Sequence, residues 1–180
     1  MQPADVIGFW CEAGRARWFA KSDAFDTAIR DRFAAAHHAA AQGDLAGWAD
    51  SAEGSLALLL LLDQFPRNIY RGSAHAFATD PLARAVANAA IAAGHDRQVA
   101  LDLRLFFYLP FEHSEQMADQ DRCLALCEAL EAEGGESADW AKMHRDIIAR
   151  FGRFPHRNRA LGRESTEEEI AFLDGGGFAG

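Results

Sequence analysis

The stretch "LALLLLLDQFPRNIYRG", Leu56 to Gly72, decides the fold. Its first seven residues are apolar without a break, and a helix that is apolar on every face has to run between other helices rather than along a surface. The polar residues that follow, Asp63, Gln64, Arg67, Asn68 and Arg71, are then delivered to one end of the assembly. Pro66 lacks an amide proton and disfavours helical geometry at Phe65, so the helix, begun near Leu45 with a break near Gly54, is predicted to stop there.

Outward from this segment the helical period dominates, with apolar residues recurring at three and four positions and Ala abundant. Pro3 to Glu12 carries Val6, Ile7 and Trp10 at helical spacing. Ser22 caps a long helix whose stripe of Phe25, Ile29 and Phe33 faces a neighbour, and Gly43 stops it. Asp80-Pro81 reads as a cap followed by a proline at the first helical position, opening a helix that closes at Gly94. Further helices are predicted from Arg97 to Leu109, from Ser114 to Ala132, from Ser137 to Phe151, and from Ser165 or Thr166, each of which has a Glu three residues later. The reading is an all-α chain: a single-domain bundle or array of antiparallel helices over residues 1–174, followed by a flexible Gly-rich tail at 175–180.

Composition agrees with an ordinary soluble domain. The 180 residues are 49% hydrophobic and 25% charged, and Leu56–Leu62 is far shorter than a membrane span, which needs roughly 18 apolar residues. No basic leader precedes an apolar stretch, so the expected compartment is the cytoplasm. A net charge of −9 argues against a nucleic-acid partner, and none is expected, nor a membrane. Cys11, Cys123 and Cys127 lack paired C-x-x-C spacing; Cys123 and Cys127 could offer two ligands, but no second pair completes a metal site. They read as small packing groups. Neither cofactor nor metal is expected.

Three polar blocks stand out. Asp63 sits near a helix C-terminus, where an acid opposes the dipole, and Arg67 and Arg71 are the nearest cations to hold it. "RFGRFPHRNRALGR", Arg150 to Arg163, repeats the Phe-Pro and Arg-Asn elements at Phe154-Pro155 and Arg157-Asn158, with Arg150, Arg153, Arg157, Arg159 and Arg163 and no acid. In "LPFEHSEQ", His113 and Glu115 flank Ser114 at a helix start, where a general acid or base could lie.

These blocks, with the opening "VIGFW…RWF", resemble the bacterial domain of unknown function 924 family from about Ile7 to Leu173. That resemblance implies an all-helical, tetratricopeptide-repeat-like arrangement and no established activity. Matched to its motifs are Asp63, Gln64, Arg67, Asn68 and Arg71; His113, Ser114 and Glu115; and Arg150, Arg153, His156, Arg157, Asn158 and Arg163.

The leading expectation is an arginine-lined pocket where the blocks converge on an anionic small molecule or acidic peptide. Arg67, Arg71, Arg153 and Arg157 would hold the charge, with Asn68 and Asn158 orienting it. One alternative is a hydrolase or group-transfer enzyme using His113 or Glu115 as general acid-base. Another is a purely structural polar network in which the arginines latch onto acids elsewhere in the fold.

Overall fold

Ser22 and Thr166 each place a side-chain oxygen on the amide three residues ahead, and nine glycines take positive φ at turns and chain ends. Between such signals the computed structural model, which describes residues 1–180, contains helices and no strand. The α-helices are α1 (Pro3–Ala13), α2 (Arg15–Trp18), α3 (Asp23–Gln42), α4 (Ala52–Leu59), α5 (Phe65–Ile69), α6 (Asp80–Ala92), α7 (Leu109–Glu112), α8 (Met117–Ala132), α9 (Asp139–Phe151), α10 (Asn158–Leu161) and α11 (Glu167–Asp174). Contacts divide the chain into two compact units, one of residues 1–71 and 75–110, the other of 72–74 and 111–180.

In the first unit, Leu56 to Leu62 is buried throughout, as its all-round apolarity requires. Around it lies an aromatic core. Phe33 meets Phe65 at 4.9 Å between ring centroids, Trp18 meets Phe106 at 5.0 Å, and the Trp18 indole N–H donates to the Trp10 carbonyl at 2.7 Å. Gly54 is required by close approach: a Cβ there would lie 1.9 Å from the Trp48 carbonyl oxygen.

Pro66 does not end the central helix. Helical backbone runs from Ala52 to Ile69, because Leu60–Gln64 forms a π-helical turn in which the Phe65 amide bonds back to Leu60. Such a turn breaks the usual four-residue ladder, and three successive carbonyls take side-chain donors. The Leu61 carbonyl accepts from His37 Nδ1 at 2.8 Å, Leu62 from Thr79 Oγ1 at 2.5 Å, and Asp63 from Arg67 Nη1 at 2.5 Å. Leu62 is the carbonyl that an α-helix would pair with the amide Pro66 lacks. Burial, with the neighbouring His38 acting in the same direction, holds the His37 pKa below its ordinary value against the pull of the Leu61 carbonyl.

Two other boundaries move. Thr79, not Asp80, precedes α6, and its hydroxyl is spent on Leu62 rather than on a cap. Residues 97–108 form no α-helix; a 3₁₀ turn at Arg104–Phe107 leads into α7, which contains Pro110. Phe106, Phe107 and Tyr108 are all buried, and three adjacent positions cannot share one helical stripe.

The second unit is built from α8, α9 and the closing helices around Ile147, Ile148 and Phe154, with Met117, Met143, Phe151, Phe172 and Phe178 packed against them. Trp140 is 56% exposed. Ser114 does not cap α8 directly. Its hydroxyl accepts from the Gln116 amide and donates to Asp119, organising the turn ahead of the helix. Phe178, in the Gly-rich tail, lies 4.6 Å from the His144 ring.

Candidate functional site

The end of the central helix presents its polar residues by helical geometry. Asp63, one per cent exposed, lies in the π turn and accepts from the Gln64 amide at 2.6 Å. Arg67, one turn on, reaches Asp63 at 3.3 Å and grips Asp80 with both terminal nitrogens at 3.0 and 3.1 Å. Arg71 and Asn68 turn the other way, toward Asp26 in the first turn of α3. Arg71 binds both Asp26 oxygens at 2.7 and 2.9 Å, and the Asn68 amide donates to the same carboxylate at 2.8 Å. Burial alone would raise the Asp26 pKa; the bonds from Arg71 and Asn68 and the charges of Arg71 and Arg30 hold it below the ordinary range.

The second unit repeats this device. Arg153 binds both oxygens of Glu169 at 2.6 and 2.8 Å, and the Asn158 amide donates to that carboxylate at 3.2 Å. Two hydrogen bonds from one planar guanidinium plus one from an amide close the acid on three sides. The bonds from Arg153 bring the Glu169 carboxyl down to about 2 despite its burial, assisted by the Thr166 amide of the capping box. Arg163 forks onto Glu115 at 2.7 and 2.9 Å, and Glu115 also accepts from the Phe154 amide at 2.8 Å. Burial works against ionisation of Glu115, but these bonds win and its pKa is lowered. A carboxylate so held makes a poor proton acceptor at neutral pH.

The remaining expected residues have distinct surroundings. Arg157 is buried with its guanidinium 4.5 Å from the Phe154 ring centre, and His156 packs edge-on to Phe178 at 5.0 Å. Arg150 pairs with Glu168 at the surface. His113 is half-buried just past α7. Asp63, Gln64, Arg67, Asn68 and Arg71 belong to the first unit; His113, Glu115, Arg153, His156, Arg157 and Asn158 belong to the second.

The partners that sequence reasoning passed over are the acids Asp26, Asp80 and Glu169. Each lies in the first turn of a helix, where a carboxylate reads as an ordinary complement to the dipole. Also passed over is a buried group able to hold a metal: the Glu112 carboxylate and the Cys123 and Cys127 thiols have donor atoms all within 4.8 Å of one another. Cys123 and Cys127 have a third potential ligand on α7, a helix that local spacing in α8 could not reveal.

The chain belongs to the family described as "Bacterial protein of unknown function (DUF924)", whose model matches residues 6–177. The solved structure "Structure of Protein of Unknown Function ATU0120 from Agrobacterium tumefaciens" is similar to it at 55% sequence identity and a TM-score of 0.91, covering 96% of this chain and 97% of that one. No curated protein matches the chain.

Proposed function

We propose that the protein is a helical interaction module whose arginine turns are internal locks, and whose partner is an amphipathic peptide bound in the second unit. The observation that carries this reading is the repeated device: in both turns an arginine fork and an asparagine amide already converge on a carboxylate of their own unit. A free anion would have to displace a tethered acid whose effective concentration far exceeds its own. The clamped state of Glu115 likewise favours binding over general acid-base chemistry.

One concave surface is a cleft of about 490 Å³ beside α9 and α11. Met143, Phe151, Phe172 and Phe178 form its apolar wall, and its charged lining is mixed, with Lys142 and Arg150 beside Asp139 and Asp146 and with Arg150 also paired to Glu168. An amphipathic helix would lay apolar residues on that wall and set polar groups against charged residues of both signs. Exposed Trp140, whose ring lies 6.4 Å from Phe178, would extend the contact.

Helical peptides displayed on phage and selected against the protein test this. Amphipathic sequences should be enriched, and Met143→Lys should abolish their recovery. Enrichment that survives Met143→Lys and disappears in Arg71→Ala would overturn the reading in favour of an arginine pocket.

A further inference from the structure

In α8 the spacing of Cys123 and Cys127 places two thiols one turn apart on the same face. Both are buried, and their sulfurs are 3.8 Å apart. The edge of a tetrahedron with zinc–sulfur bonds of about 2.3 Å is about 3.8 Å, so the pair has the separation of two thiolates on one zinc ion. Glu112, five per cent exposed, brings its carboxylate within 4.8 Å of both sulfurs. That limit is longer than a coordination edge, so for all three groups to share one ion the Glu112 carboxylate has to draw closer to the sulfurs.

The surroundings resemble those that orient metal ligands. The bond with Cys127, burial and the nearby Glu112 charge push the Cys123 thiol well up, so without a cation it stays protonated; a hydrogen bond from the Glu112 backbone amide pulls weakly the other way. His144, fixed by a bond from Nδ1 to the Trp140 carbonyl at 2.8 Å, lies 3.5 Å from a Glu112 oxygen and restrains that carboxylate. Gln120, on the same helix and wholly buried, donates to the carbonyls of Glu112 and Ser114 at 2.7 and 2.6 Å and holds the backbone that carries the third ligand.

We propose that Cys123, Cys127 and Glu112 bind one zinc-class divalent cation inside the second unit. Two sulfurs and one oxygen favour a borderline-soft ion over magnesium or calcium, which take oxygen ligands. Binding forms two metal–sulfur bonds and one metal–oxygen bond, and releases the two thiol protons to solvent. The buried site passes from two neutral thiols and a carboxylate to a complex of net charge −1. Uptake therefore strengthens as pH rises.

The whole chain, prepared under reducing conditions and freed of metal, is titrated with Zn²⁺ in competition with a chromophoric chelator and separately with Co²⁺. The expected result is one ion per chain, a Co²⁺ spectrum with sulfur-to-metal charge-transfer absorption, and a higher melting temperature with Zn²⁺. Glu112→Gln should weaken Zn²⁺ binding at least tenfold, the double variant Cys123→Ser/Cys127→Ser should abolish the charge-transfer band, and Cys11→Ser should change neither. Absence of the band in the wild type would overturn the proposal without relying on any variant to fold. So would a band lost in Cys11→Ser, or recovery of the freshly prepared chain with a Cys123–Cys127 disulfide that resists reduction.

Discussion

Glu169 shows how much one side chain can be asked to do. It accepts from Arg153, from Asn158 and from the Thr166 amide, so it closes a capping box and an arginine lock together. Because its folded pKa falls from 4.5 to about 2, its contribution to stability is fully present above 4.5 and is lost as pH drops from there toward 2. Asp26 and Glu115, also lowered, act with the same sign. Thermal melts across this range should show the wild type losing stability, and Glu169→Gln should start lower and fall less steeply; parallel curves would assign the acid loss elsewhere. The arginines and asparagines of these locks were legible in the sequence because Phe-Pro and Arg-Asn recur after two helices. Their acids were not, since Asp26 lies 45 positions from Arg71 and looks like any first-turn carboxylate.

The central helix tests the relation between pattern and geometry. Its burial follows from seven apolar residues in a row, but its passage through Pro66 depends on the π turn and on donors from other elements. Local sequence carries Pro66 and not the distant hydroxyl of Thr79, which is why the helix end was misplaced. Thr79→Val keeps the shape and removes the donor to Leu62. It should cost about 1 to 3 kcal/mol, the range for a buried acceptor deprived of its partner, whereas Thr79→Ser should cost much less. Urea unfolding of the two variants checks this; equal losses would point to packing of the methyl group instead. The same limit applied at Arg97–Leu109, where helical spacing was present but the burial of adjacent Phe106, Phe107 and Tyr108 selected a tighter turn.

At the scale of the molecule, the all-helical class and the family were readable from periodicity and from motif blocks that span most of the chain. The ligand reading was harder, because arginines with no acid beside them in sequence can meet acids in space, as Arg150, Arg153 and Arg163 meet Glu168, Glu169 and Glu115. Arg163 and Glu115, 48 positions apart and each largely shielded, make the point: removing one member of such a pair leaves a charge poorly solvated. Arg163→Ala should cost about 3 kcal/mol on that basis, a fall in melting temperature of roughly 6 to 12 °C for a chain of this size. The most direct test of the lock assignment is therefore a thermal-shift comparison of wild type, Arg71→Ala and Arg163→Ala, each with and without phosphate, sulfate and citrate. Internal locks require both variants to melt lower and the wild type to gain no stability from any anion. An anion that raises the wild-type melting temperature, with the gain lost in either variant, would contradict the account.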